Sequence, residues 1–337
     1  GDQVLASVRP DGLDERHHLI IEAADEMAPS PDGRWVAFQE GDNFYLTAFP
    51  FAGTGGEAVE LDKRSGSLPV HRLTMVGGLF PRWRPDGRVE FGSATSYFVH
   101  DPTTQATDTV TLSLTVERDV PAGSMAFTGA RIITLEGDEV IESGTVVVDG
   151  ARIACVGECD TGGVDEVIDA SGRTIIPGLV DMHSHHYREH RGYRPLRDYE
   201  LAMYLAYGVT TSLDNSMWSQ NIFPTAEMVE AGRMIGPRTY STGDPLYRGD
   251  AARQNDLSSY EEAARNVRRI KSWGAVSAKQ YMQPRREQRQ WVSDVARDEG
   301  LMVTAEGGDL FFNLGMIIDG QTAPVPNVDG RSQLSEP

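Results

Sequence analysis

At 337 residues, 39% hydrophobic and 24% charged, the chain is long enough for two or three domains that each bury a core, and its 35 glycines and 18 prolines predict many turns and strands. A net charge of −19, from 50 acidic against 31 basic residues, argues against nucleic acid or an anionic membrane surface as partner. No apolar run approaches the roughly 20 residues needed to cross a bilayer.

The sequence starts at Gly1 without an initiator methionine, so the absence of a visible leader excludes nothing. Lysine occurs only at Lys63, Lys271 and Lys279, a bias that a high-salt habitat or a GC-rich genome explains equally well. The two cysteines, Cys155 and Cys159, have the spacing of neither a zinc ribbon nor a redox pair and are expected as small core or turn residues.

Two segments near the start share a layout. "APSPDGRWVAFQEGDNFYLTAF" and "FPRWRPDGRVEFGSATSYFVHD" each carry a Pro-Asp-Gly-Arg turn followed by alternating strand residues, and the turns begin at Pro31 and Pro85, 54 residues apart. Asp-Gly between alternating runs predicts a hairpin. The pattern resembles the repeats of TolB-type β-propellers, and two copies are too few to close a ring of blades. Residues 1–120 are therefore expected as partial propeller blades. From about residue 121 to 178, short alternating strands joined by Gly129, Gly137, Gly144 and Gly150 predict a small β-sandwich.

From Leu179 onward strands and helices alternate. The expected pairs are strand 179–183 with a helix near 196–207, strand 209–213 with a helix near 224–231, and strand 238–242 with a helix from about 258. Strand 276–281 with helix 287–298 and strand 302–306 with helix 310–319 complete five β/α units. Ser258-Ser259-Tyr260-Glu261 has capping-box spacing, and Gly274 and Gly300 are helix stops. Residues 321–337 lack periodicity and read as an irregular tail.

Half of the eight histidines fall in "IIPGLVDMHSHHYREH". The two-residue period of a strand puts His183 and His185 on one side, where two neutral imidazoles form a natural half-site for zinc. His186 is expected to face the other way, and His190 to lie at the surface. Lys279, on the fourth predicted strand of the alternating region, has apolar neighbours that would favour its neutral amine. Glu306 ends the fifth, where a carboxylate would cap the helix that follows, favourably for its dipole. Asp181 and Asp214 are candidates to orient the histidines. Trp218 and Tyr247 sit in segments that would shape a pocket.

"TIIPGLVDMHSHH", preceded by "GTVVVDGARIACVG", resembles the amidohydrolase superfamily, and the order of the segments is similar to imidazolonepropionase-like members fused to a TolB-type propeller. The resemblance implies a multi-domain β plus α/β fold. Its parts are blades over 1–120, the N-terminal part of a composite β-sandwich over 121–178, and the first five units of a (β/α)₈ TIM-type barrel over 179–320. It implies His183 and His185 on a buried divalent metal, zinc as one ion or two, with Lys279 carboxylated to bridge two ions and Glu306 in the place of a strand-five histidine. The strand-six histidine and strand-eight aspartate of the family have no counterpart here. Gln321 stands where a histidine-containing turn is expected, and the 159 residues after residue 178 fall short of the roughly 250 of a whole barrel, so the chain reads as truncated at both ends. The implied function is hydrolysis of an amide or cyclic-amide C–N bond by a metal-activated water, weak or lost in a truncated chain. The substrate would be a small-molecule or peptide-like amide, and a homo-oligomer is allowed. The alternative is a non-catalytic scaffold that docks partners on the propeller surface.

Overall fold

The computed structural model describes the chain except for residues 1–2, 22–23, 51–56, 64–65, 187–196, 248–254, 256, 282, 307–309, 322 and 326–337, so His190 and most of the expected tail lie outside the described residues. The chain divides into two compact units, one formed by residues 1–114 with 242–337 and the other by residues 115–241.

Among the described residues, the first unit opens with eleven strands: β1 (Gln3–Ser7), β2 (Arg16–Ile21), β3 (Ala24–Pro29), β4 (Trp35–Glu40), β5 (Asn43–Ala48), β6 (Val59–Leu61), β7 (Val70–Arg72), β8 (Leu79–Trp83), β9 (Val89–Ser93), β10 (Ser96–His100) and β11 (Thr107–Thr111). The two sequence repeats lie in separate four-stranded sheets, ordered β3-β4-β5-β7 and β8-β9-β10-β11, whose pairings are all antiparallel. Both Pro-Asp-Gly-Arg turns close alike. Gly33 and Gly87 take positive φ, where a side chain would be strained, and Asp32 and Asp86 each accept from the backbone N–H and the guanidinium of the arginine two residues on. The hydrogen bonds from Ser30 and Arg34 hold the Asp32 carboxyl down at about 2. Strand β4 is buried on both faces: Val36 and Phe38 pack with Leu19, Ile21, Tyr45 and Leu61, while Ala37 packs with Leu46 and Val89. Alternation alone would leave one face of such a strand to water; the apolar neighbours cover both.

The second unit begins with β12 (Ser124–Ile133), β13 (Val140–Asp149), β14 (Arg152–Gly157), β15 (Glu166–Asp169) and β16 (Thr174–Ile175). They form one five-stranded sheet, ordered β14-β13-β12-β15 with β16 also on β12, and Ala130, Ile132, Val146 and Ala170 make its core. Cys155 and Cys159 are joined in a disulfide, which corrects the expectation of two unlinked small residues. The reason is local: Gly157 takes φ +108°, and the turn brings the two Cα atoms to 5.9 Å. Because the bridge closes a very short loop, chain entropy gives it about 2 kcal/mol. Replacing both cysteines with serine should lower unfolding stability by no more than that, as read from urea titrations with and without reductant.

The same unit continues with β17 (Leu179–Ser184), α1 (Tyr199–Ala206), β18 (Val209–Asp214), α2 (Ser219–Glu230) and β19 (Arg238–Ser241), the strands forming a parallel sheet in chain order. Helix α2 starts before the expected residue 224 and carries Pro224 inside it. Burial of Ile222 and Phe223, with Asn221 and Ile222 N–H groups bonded to Trp218 O, extends the helix ahead of the proline. Part of the pocket-shaping segment expected around Trp218 is therefore helical.

The remainder of the first unit runs through α3 (Tyr260–Trp273), β20 (Ser277–Gln280), α4 (Arg286–Asp298), β21 (Met302–Glu306), α5 (Leu310–Ile318) and β22 (Ala323–Val325), with β20, β21 and β22 in a second parallel sheet. The cap of α3 is Ser259, whose Oγ accepts from Glu262 N–H at 3.3 Å, one residue later than the expected Ser258. Either serine offers the same hydroxyl, and the extended φ and ψ of Ser259 decide between them. Gly274 closes the helix at φ +110°. Asp319, whose side chain is 1% exposed, is bound by Arg286, Arg289 and Gln290 from α4, a structural clamp between α4 and the end of α5.

Candidate active site

In the second unit the site is built on the end of β17. His183 and His185 come together with ring centroids 5.0 Å apart and planes at 68°. Period-2 geometry puts both rings on one side of the chain at this strand end. Neighbouring side chains fix the backbone that carries them. Asp181 Oδ1 accepts from the His183 N–H at 3.0 Å, Asn215 Nδ2 donates to Met182 O at 3.0 Å, and Asn215 N–H reaches Ser184 O at 3.2 Å.

His186 lies apart from this pair. It is 5% exposed, stacks on Tyr204 at 5.0 Å and 9°, and its Nε2 is 3.1 Å from Ser212 Oγ. Its backbone N–H donates to Asp214 Oδ2 at 2.7 Å. Burial lowers its pKa to about 4, against smaller upward effects of Asp198 and Asp181. Asp181 and Asp214, expected to orient imidazoles, thus act on backbone N–H groups at this strand end. The buried environment of His186 had no sequence signal beyond its opposite parity to His183 and His185.

In the first unit, Lys279 on β20 is fully buried, and its Nζ donates to Glu306 Oε2 at 2.6 Å. In the parallel register Lys279 faces Thr304, so Glu306, two residues further along β21, has the same side-chain parity and closes the pair diagonally. Burial lowers the Lys279 pKa, and Glu306 opposes that shift in part. The Tyr281 ring centroid lies 5.4 Å from Nζ, and Tyr247 packs edge-on against Tyr281 at 5.5 Å.

Each pair of expected ligands thus occupies the C-terminal ends of parallel strands within its own unit, which is where α/β folds carry their sites. Among the described residues, no group of three or more His, Cys, Asp and Glu is gathered as a metal site. Trp218 precedes α2 as its N-cap residue without a side-chain cap hydrogen bond.

No protein-family model matches the chain. Its sequence relatives are enzymes of the amidohydrolase superfamily. It is 30% identical to a dihydroorotase of Wolbachia sp. subsp. Drosophila simulans over 45% of this chain and 33% of that protein. With an imidazolonepropionase of Streptomyces griseus the identity is 47% over 14% of this chain and 12% of the relative. With a 5'-deoxyadenosine deaminase of Methanosarcina barkeri it is 32% over 32% of this chain and 23% of the relative. The matched stretches thus span a third or less of these curated relatives. Among solved structures, a prolidase complexed with N-methylphosphonate-L-proline aligns with a TM-score of 0.50 at 20% identity, over 60% of each chain, a likeness of fold.

Proposed function

We propose that the chain carries part of the machinery of a metal-dependent amidohydrolase that cleaves an amide or cyclic-amide C–N bond with water. The observation that carries this reading is the pairing of His183 and His185 rings at the end of β17. The sequence relatives, a dihydroorotase and a deaminase among them, support it. Within the reading, residues 1–120 are TolB-like propeller blades, 121–178 the N-terminal part of a composite β-sandwich and 179–320 part of a (β/α)₈ barrel, and the expected irregular tail over 321–337 is corrected at Ala323–Val325, which pair with β21 as strand β22.

His183 and His185 would hold a divalent ion, zinc being among the borderline metals that imidazole ligands suit. When bound, the ion supplies a water of lowered pKa and a Lewis acid for the substrate carbonyl. The chain's own residues set the conditions. Asp181 and Asn215 fix the backbone that presents the imidazoles. Burial keeps Lys279 poised towards its neutral form, the form that can be carboxylated or can ligate, while Glu306 Oε2 holds the ammonium until that happens. Glu306, one-fifth exposed, would serve as the acidic partner of Lys279 in that role. The substrate class is a small-molecule or peptide-like amide.

Metal analysis of the purified chain after zinc loading tests this. About one equivalent or more should be retained, and His183→Ala and His185→Ala should each release it. Retention below a tenth of an equivalent, unchanged by His183→Ala, overturns the reading and leaves the scaffold alternative.

A further inference from the structure

We propose that Asp42, in the hairpin between β4 and β5, is a positioning residue for the Lys279 centre, acting through Asn255 and Arg269 on the segment that carries Leu246 and Tyr247. The proposal rests on the reading of Lys279 as a functional group, and deepens it by making the N-terminal β-strands part of the site's framework.

The contacts form two arms that start from one carboxylate. In the first, Asp42 Oδ2 accepts from Asn255 Nδ2 at 3.0 Å. Asn255 in turn grips the Tyr247 backbone from both sides: its Oδ1 accepts from Tyr247 N–H at 2.8 Å and its N–H donates to Tyr247 O at 3.1 Å. In the second, Arg269 Nη2 lies 3.0 Å from the same Asp42 Oδ2 while its Nη1 donates to Asp244 Oδ2 at 2.9 Å. The two arms thus fix both ends of a four-residue stretch. Between them, Leu246 N–H donates to Lys279 O at 2.8 Å, and Gln283 Nε2 donates to Leu246 O at 2.8 Å. Tyr247 then meets Tyr281, the aromatic beside the Lys279 ammonium.

Two features argue that the arrangement is specific. Arg269 is 4% exposed, and a buried guanidinium is tolerated only with its carboxylates in place. Gly77, at φ +83°, makes room for it, since a Cβ there would lie 2.7 Å from Arg269 Cδ. A second link between the same elements, Arg72 to Glu262 at 2.8 Å, joins β7 to α3 without touching Asn255 or Tyr247. It therefore serves as a control for loss of packing alone.

Fully buried Lys279 reacts with a small amine reagent only when its cover opens, so its labelling rate reads the placement of that cover. The experiment is acetylation by acetic anhydride at one fixed pH, quantified by peptide mass spectrometry, with exposed Lys271 as the in-chain reference. Asp42→Asn and Asn255→Ala should each speed Lys279 labelling about tenfold, the change expected when a charge-assisted hydrogen bond holding a segment closed is lost. Asp42→Glu should recover part of the protection, and Arg72→Ala should leave the rate near the parent's. If Asp42→Asn fails to fold, Asn255→Ala carries the test. Equal acceleration in Arg72→Ala, or none in the folded variants, overturns the proposal. The assay needs neither metal nor substrate, so its outcome is separate from that of the metal analysis.

Discussion

Replacing Glu306 with glutamine is expected to destabilise the unit formed by residues 1–114 and 242–337 by about 3 kcal/mol, the cost of leaving a buried charge without its counter-ion. Lys279 is fully buried and its Nζ lies 2.6 Å from Glu306 Oε2. The amide that replaces the carboxylate can accept a hydrogen bond but carries no charge. Giving up the proton sets a ceiling: taking an ordinary lysine at pH 7 to its neutral form costs about 5 kcal/mol. Burial already lowers the Lys279 pKa, and losing Glu306 lowers it further. The unfolded chain then binds the proton that the folded chain refuses. The deficit of the variant is therefore complete below the folded-state pKa and shrinks as pH rises towards the unfolded value near 10.4. Urea titrations at pH 7 and pH 9.5 read both features. A loss below about 1 kcal/mol, or one that grows with pH, contradicts the account. Lys279→Met combined with Glu306→Leu should recover most of the stability, because an apolar pair removes both charges together.

The parts of this structure that were legible in the sequence are those set by short-range periodicity. Two-residue alternation predicts the meeting of His183 and His185, and the Pro-Asp-Gly-Arg repeats predict hairpins that share one turn geometry. The pairing of Lys279 with Glu306 needed one further quantity, the register of β20 on β21, which no local signal encodes. The disulfide depended on a left-handed glycine at Gly157, and a glycine reveals that such a conformation is available without showing where it is used. Least legible was Asp42: an Asp-Asn turn reads as ordinary hairpin chemistry, and its partner Asn255 lies 213 residues away. Long-range polar contacts of this kind are selected by packing after the elements form, so a single sequence carries little trace of them.

Between pH 6.5 and 4 the unit formed by residues 115–241 should lose about 3 kcal/mol through His186 alone. The ring is 5% exposed between Tyr204 and Ser212, and burial is the first cause of its depressed pKa of about 4. Asp198 and Asp181 pull the other way and His185 adds to the depression. The unfolded chain protonates near 6.5, whereas the folded chain holds the neutral ring until about 4. The stabilisation is therefore complete above 6.5, declines as acid is added, and is exhausted below 4. His186→Gln removes the titration while keeping an amide that can reach Ser212 Oγ, and its backbone N–H still serves Asp214. Its stability should be nearly flat through the window in which the parent declines. His100, in the other unit, is also depressed by burial and titrates in the same sense, so a global probe would mix the two. Hydrogen exchange of peptides from β17, β18 and β19, corrected for intrinsic rates, isolates His186, and peptides from β9 and β10 report His100. If parent and His186→Gln lose protection in parallel across β17–β19, the neutral, buried ring is not what makes this strand end acid-sensitive, and the proton must be taken up elsewhere in the unit.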